Sequence, residues 1–209
     1  MARALGLPRG GALARRHLVE GEGKRRRLVA DRRPTGIPGA SFVQVNAEIA
    51  ERMQAHLVAM VLAHRPTYVL DAYSGAGVTA VALAAAGVRV TAIELDEEAT
   101  TYAATQLAAP SRAIAARVEE ALPHHLPADV VILNPPRAGV DARVTSALAR
   151  TVETGQAPRA IVYVSCDPAT LARDVARLPG WRVDSLLSFD MFPQTAHVET
   201  VCVLVPEGA

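Results

Sequence analysis

The 209-residue chain has little cysteine, and its two cysteines, Cys166 and Cys202, lie in different candidate elements with no Cys-x-x-Cys or Cys/His ligand spacing. That excludes a disulfide scaffold and argues against a zinc or iron–sulfur site. Long apolar runs are missing too: the Ala-rich stretch 78–88 falls short of the ~18–20 residues that cross a bilayer. No low-complexity or collagen-like repeat occurs. With 50% hydrophobic and 21% charged residues, the composition excludes disorder for most of the chain. Residues 1–18 carry Arg3, Arg9, Arg15 and Arg16 without a continuous apolar segment, so no secretory signal is expected and a cytoplasmic location is. The length suits one compact domain, on the usual ~100–200 residues per domain.

A formal net charge of +1 conceals an asymmetry. Residues 1–33 hold ten Lys and Arg against three Asp and Glu, whereas residues 34–209 hold twelve against eighteen. The expected organisation is a basic N-terminal extension, residues 1–40, followed by a mildly acidic folded domain, residues 41–209. The run Lys24-Arg25-Arg26-Arg27 with Arg32 and Arg33 has the charge footprint of nucleic-acid contact. From charge alone a solvated tail fits equally well.

From Asn46 onward Ile49, Met53, Leu57 and Met60 or Val61 recur at helical spacing, ending near Pro66. The pattern then changes to alternating strands and helices. Strands are predicted at 68–72, 89–93, 113–116, 130–133 and 160–165, with helices near 78–86, 97–108, 141–150 and 168–177. Two further strands, near 182–189 and 197–205, have no helix between them and should pair antiparallel. Buried-type strands separated by helices imply an α/β fold, a doubly wound, mostly parallel sheet, and the closing hairpin implies an antiparallel strand at its edge. Seven strands in that order suggest a Rossmann-like methyltransferase sheet. Ligands of such sheets bind beyond the carboxyl ends of the strands.

The first strand leads into Asp71-Ala72-Tyr73-Ser74-Gly75-Ala76-Gly77, where glycines permit a tight turn and close approach of a ligand to the backbone. Glu94 ends the next strand, placed to accept both hydroxyls of a ribose. Dinucleotide enzymes and enzymes using S-adenosylmethionine share that demand, and the motif does not choose between them. Without the loop, Glu94 reads as an exposed strand-end carboxylate.

After the apolar run Val130-Val131-Ile132-Leu133 comes Asn134-Pro135-Pro136-Arg137. Two prolines fix an extended backbone and hold the Asn134 amide at the sheet edge, where it can bind a planar base. Asn-Pro-Pro followed by an aromatic residue is the hallmark of methyltransferases acting on amino nitrogens; Arg137 in the aromatic place disfavours that chemistry here. A plain strand-ending loop is the alternative.

The fifth strand runs into Ser165-Cys166-Asp167-Pro168. Asp167 fits a helix N-cap and Pro168 a first helical residue, which places the Cys166 thiol at a helix N-terminus on the ligand-binding edge. Position alone leaves a nucleophile and an inert core thiol equally matched. Cys202, inside an alternating strand, reads as packing. In the segment 189–200, Glu199 enters the last strand near the expected pocket; an edge carboxylate in water is the plainer reading, as is a structural role for His197. His124-His125, between Pro123 and Pro127, read as a surface loop.

Six segments resemble, in family order over residues 41–205, the motifs of the RNA uracil-5-methyltransferases. They are Phe42-Val43-Gln44-Val45-Asn46, the loop from Asp71 to Gly77, Ile93-Glu94, Asn134-Pro135-Pro136-Arg137-Ala138-Gly139, Ser165-Cys166-Asp167-Pro168 with Leu171-Ala172-Arg173-Asp174, and Asp190-Met191-Phe192-Pro193 with His197-Val198-Glu199. The cysteine and terminal segments are the specific ones. The resemblance implies a class I, S-adenosylmethionine-dependent catalytic domain over residues 41–209. It implies that Cys166 adds to uracil C6 and Glu199 removes the C5 proton. Gln44, Tyr73, Gly75, Glu94 and Asn134 match cofactor contacts, and Phe42 and Arg137 fall on the target-base side. The target uridine must be unpaired or flipped out.

Many family members have Asp where this chain has Asn134, although Asn occurs in some ribosomal RNA enzymes. That form and the run from Cys166 to Leu171 favour ribosomal over transfer RNA as the partner. Larger members carry an RNA-binding barrel and often a four-cysteine cluster, neither of which is seen in these residues, so RNA selection is expected from residues 1–40, from another protein or from a segment outside this sequence. Two other classes stay open: an amino-nitrogen methyltransferase, indifferent to Cys166, and a noncatalytic RNA-binding protein that keeps the cofactor fold. A nicotinamide dehydrogenase leaves the cysteine segment unexplained.

Overall fold

The strands Tyr68–Ala72, Val130–Leu133 and Ala160–Ser165 are buried along their whole length, which is the condition of a parallel sheet covered by helices on both faces. The computed structural model describes residues 47–191 and 198–208, all within the compact unit Ile37–Ala209. Residues 1–40, Phe42, Gln44 and His197 lie outside the described residues.

In chain order the elements are α1 (Ala47–Ala63), β1 (Tyr68–Ala72), α2 (Val78–Ala85), β2 (Arg89–Glu94), α3 (Glu97–Gln106), β3 (Arg112–Ala115), α4 (Val118–Ala121), a 3-10 turn (Leu122–His125), β4 (Val130–Leu133), α5 (Ala142–Glu153), β5 (Ala160–Ser165), α6 (Pro168–Val175), β6 (Trp181–Phe189) and β7 (Glu199–Pro206). The seven strands form one sheet in the order β3-β2-β1-β4-β5-β7-β6. The pairs β3–β2, β2–β1, β1–β4 and β4–β5 are parallel, whereas β7 is antiparallel to both its neighbours.

Alternation along the strands divides the core into two layers. Val69, Val90, Ile132 and Val162 face Met53, Leu57 and Val61 of α1 and Leu83 of α2. Leu70, Ile93, Leu133, Ile161 and Tyr163 face Val144 and Leu148 of α5, Leu171 of α6 and Trp181. Leu57 and Leu148 are almost wholly buried, each contributing about 2 kcal/mol through removal of its side chain from water.

The hairpin differs from expectation in one respect. The antiparallel strand does not form the sheet edge: β7 inserts between β5 and β6, so β6 is the edge. Composition explains the order. β7 carries Val201-Cys202-Val203-Leu204-Val205, buried throughout, and takes the internal place. β6 carries Arg182, Asp184, Ser185 and Ser188, with a register shift between Val183 and Ser185, features that suit an edge. α4 and the 3-10 turn were too short to leave a period in the sequence, and His124 and His125 sit in that turn rather than in a plain loop.

Candidate functional site

The carboxyl ends of β1, β2, β4 and β5 and the amino end of antiparallel β7 converge on one side of the sheet. The strand order runs outward from β1 in both directions, to β2 and β3 on one side and to β4 and β5 on the other. Such a reversal opens a crevice between neighbouring loops.

The loop after β1 is held open by backbone geometry and one carboxylate. Gly77, at φ +78°, caps α2, and a Cβ there would approach Ala103 Cβ in α3 to 2.8 Å. Tyr73 adopts φ +60°, a strained conformation for a residue with a side chain. Its ring is half-buried against the core, and burial pushes its phenol up to about 12. Ser74 N–H donates to Ile93 O at 3.2 Å, and Gly77 N–H to Ser74 O at 2.9 Å. Gly75 N–H donates to Glu94 Oε2 at 2.9 Å, while Leu95 and Asp96 N–H donate to Oε1 at 2.7 and 2.9 Å. Glu94 therefore braces the loop. With two lone pairs per oxygen, it keeps one acceptor position on Oε2 for a ligand hydroxyl.

Asp71, in an otherwise apolar strand, was not singled out from sequence as a site residue. It is 2% exposed, and its Oδ2, like Ser74 Oγ, is buried without a hydrogen-bond partner. Burial pushes the carboxyl up to about 7; a hydrogen bond from the Ala80 amide opposes the shift and the Glu94 charge reinforces it. Two orphaned acceptors beside an open backbone turn fit a ligand that brings donors, as the ammonium and ribose hydroxyls of S-adenosylmethionine do. The signal in the sequence was an acid at the end of a buried strand.

After β4, Asn134 N–H donates to Ala72 O at 3.2 Å, extending the β1–β4 ladder by one bond. Pro135 is buried while Asn134 and Arg137 are exposed. Gly139 N–H closes the turn on Pro136 O at 2.8 Å.

Beyond β5, Ser165 Oγ donates to Asp167 O at 2.9 Å and accepts Asp167 N–H at 3.2 Å. Asp167 Oδ1 accepts Thr170 N–H at 2.8 Å, the N-cap expected from sequence. Cys166 lies between these contacts, half-buried, as a free thiol. Ser165 pairs with Thr200 across β5–β7, so the next residue on each strand is Cys166 and Glu199. Glu199 also faces Phe189 across β6–β7. It is 6% exposed; burial pushes its carboxyl above the usual range, and the positive charge of Arg137 pulls it partly back. Cys202, fully buried, is pushed up to about 11 by burial alone.

Tyr73, Gly75, Glu94, Asn134, Arg137, Cys166 and Glu199 thus share one edge of the sheet. No group of three or more potential metal ligands occurs among the described residues, and no described helix is long and apolar enough to cross a membrane.

Residues 116–206 match the family model of tRNA (uracil-5-)-methyltransferase. The chain is similar to 23S rRNA (uracil(747)-C(5))-methyltransferase RlmC of Shewanella amazonensis, 35% identical over 184 residues, covering 84% of this chain and 46% of that protein. It is also similar to 23S rRNA (uracil(1939)-C(5))-methyltransferase RlmD of Chromohalobacter salexigens, 34% identical over 178 residues, covering 80% of this chain and 35% of that protein. Among solved structures, it superposes on Pyrococcus abyssi tRNA (uracil-54, C5)-methyltransferase in complex with S-adenosyl-L-homocysteine, with TM-score 0.64 and 35% identity over 78% of this chain and 39% of that one. The chain spans less than half the length of each of these relatives.

Proposed function

The chain is related to the RNA uracil-5-methyltransferase family, and from that premise we propose that it transfers a methyl group from S-adenosylmethionine to C5 of a uridine in RNA, ribosomal RNA ahead of transfer RNA. The observation that carries the reading is the pairing of Ser165 with Thr200, from which the chain continues to Cys166 on one strand and Glu199 on the other.

Uracil C5 is a poor nucleophile and needs covalent activation. Cys166 Sγ bonds to C6, and the displaced electrons pass to C5 and O4 as an enolate. Bound S-adenosylmethionine would supply the electrophilic methyl group to C5, its S–CH3 bond breaking to leave S-adenosylhomocysteine. The Glu199 carboxylate removes the C5 proton, the C5–C6 double bond re-forms, and the S–C6 bond breaks to return the thiolate. Burial suits Glu199 to this work, because desolvation makes a carboxylate a stronger base. Asp71, Ser74, Gly75, Glu94 and Asn134 would hold the cofactor, with Tyr73 and Gln44 as the family resemblance implies, and Phe42 would pack on the target base. C6 is inaccessible in a stacked helix, so the uridine is bound unpaired or flipped.

Arg137 separates this reading from an amino-nitrogen methyltransferase. That chemistry wants an aromatic ring where this chain has a cation whose charge reaches Glu199.

The test is incubation with methyl-labelled S-adenosylmethionine and either ribosomal or transfer RNA lacking its own modification, then digestion to nucleosides and mass spectrometry. Labelled 5-methyluridine supports the proposal, with ribosomal RNA the better acceptor. Label in N-methylated nucleosides supports the amino-nitrogen reading instead, and RNA binding without label supports the noncatalytic one.

A further inference from the structure

α6 carries a fully buried carboxylate that takes no part in the chemistry proposed above. Asp174 has no exposed surface. Its Oδ2 accepts Val140 N–H at 3.0 Å and the Tyr163 hydroxyl of β5 at 2.8 Å. Its Oδ1 accepts Arg173 Nε and Nη2 at 2.9 and 2.7 Å, with Arg177 Nη1 at 3.5 Å.

The neighbours of Asp174 reach the same loop. Arg173 Nη2 also donates to Ala138 O at 2.7 Å, and Thr170 Oγ1 donates to Arg137 O at 3.2 Å. Thr170, Arg173 and Asp174 lie at i, i+3 and i+4, which is one face of a helix. That face therefore grips residues 137, 138 and 140, and Gly139 fills the remaining place. At φ +79°, a Cβ on Gly139 would overlap Asp174 Oδ2, Arg173 Nη2 and Thr170 Cγ2. The loop can lie this close to α6 only because position 139 has no side chain.

One end of the contact bears Asn134-Pro135-Pro136-Arg137 and the other begins directly after Cys166. A carboxylate satisfied by a main-chain amide, a phenol and guanidinium groups is a stiff junction, since releasing any donor leaves a buried charge underpaired. We infer that Asp174, with Arg173, is a positioning residue that locks the Asn134–Arg137 loop to the Cys166 helix and so holds the nucleophile in register with the bound uridine. This inference rests on the uridine reading given above.

Asp174→Asn keeps the shape but replaces one acceptor oxygen by an NH2 group that faces donors. The readout is the single-turnover rate of covalent capture of RNA containing 5-fluorouridine, at saturating S-adenosylmethionine and RNA, per folded molecule by circular dichroism. A purely structural residue would lower stability without changing that rate. The matched control is Asp129→Asn at the opposite end of the sheet, where the carboxylate accepts Thr67 N–H and Oγ1–H, Tyr68 N–H and Arg159.

Asp174→Asn is expected to slow capture by roughly a hundredfold, the scale of a misplacement of about 1 Å in a reacting group, while Asp129→Asn captures at the wild-type rate. Should Asp174→Asn fail to fold, Arg173→Lys and Thr170→Val carry the test, because their side chains are not buried. Each should slow capture in the same direction. Capture at the wild-type rate in all the α6 variants, or equal slowing in Asp129→Asn, overturns the positioning role alone. A wild-type chain that binds S-adenosylmethionine yet captures no RNA overturns the uridine reading, and the positioning role with it.

Discussion

Ser165 pairs with Thr200 across the antiparallel contact between β5 and β7. The insertion of β7 beside β5, rather than at the sheet edge, brings the residue after a parallel strand and the residue opening an antiparallel one to the same side. Cys166, directly after β5, and the buried Glu199, which opens β7, thereby lie on the side of the sheet that also carries the Asp71–Gly77 loop.

The two cysteines should differ sharply in reactivity. Cys202 is fully buried and its thiol is pushed up to about 11, whereas Cys166 is half-buried at the sheet edge. Iodoacetamide at neutral pH should label Cys166 in the folded protein and spare Cys202 until denaturant is added, as read by peptide mapping. Equal labelling of both under native conditions would contradict the assignment of Cys202 to the core.

Glu199→Gln should leave methyl transfer intact and stall release, so a methylated RNA adduct accumulates on a denaturing gel. The wild-type release step needs ionised Glu199, and burial raises its pKa. Release should therefore fail with falling pH above the ordinary carboxylate value of ~4.3. Arg137→Gln removes the charge that stabilises the carboxylate, so this acid limb should move to still higher pH. A limb unmoved by Arg137→Gln would show that the two groups are not coupled.

Asp71 should make the ligand-free protein less stable as pH rises. Its folded value of about 7 exceeds its unfolded value near 3.8. Between those values the folded state holds a proton that the unfolded state has released, so stability falls across roughly pH 4 to 7 and is level beyond. Asp71→Asn removes this slope. The stability of wild type minus that of Asp71→Asn, from urea unfolding, should drop between pH 4 and pH 8 by up to about 4 kcal/mol. A constant difference would mean that Asp71 is already ionised in the fold.

Gly77→Ala should destabilise the chain and weaken cofactor binding together. The new methyl would face both a positive φ and Ala103 Cβ at 2.8 Å, costing roughly 1–3 kcal/mol in unfolding free energy. Gly75→Ala meets nothing within 4 Å and should cost only the backbone strain, about 1 kcal/mol. Thermal unfolding of the pair with and without S-adenosylmethionine checks the order.

The strand positions were readable because β1, β4 and β5 are short, mostly apolar runs bounded by turn residues, with Asp71 the one charged residue among them, and the α1 period was readable because Met53, Leu57 and Val61 all face the core. The place of β7 was not, because pairing order depends on which strand loses more by exposure, a comparison that no local pattern contains. Among the candidate site residues, Glu94 was recognised as a strand-end acid. Its bracing of Gly75, Leu95 and Asp96 needed coordinates, since it depends on two loops meeting. Asp71 was overlooked as a site residue because an acid beside a glycine loop looks like a strand terminus until its burial is known. Phe42 and Gln44 lie outside the described residues, so their assignment still rests on resemblance.

The central claim is covalent activation of uracil by Cys166. Its most direct test mixes the protein with S-adenosylmethionine and RNA containing 5-fluorouridine, whose C5 fluorine cannot leave as a proton does. Intact mass and denaturing electrophoresis then report whether protein and RNA are joined. The account predicts an adduct whose mass includes one transferred methyl group, and no adduct from Cys166→Ala, whose turnover on ordinary RNA should fall by at least about a thousandfold. Methyl transfer to uridine C5 that survives in Cys166→Ala would contradict it.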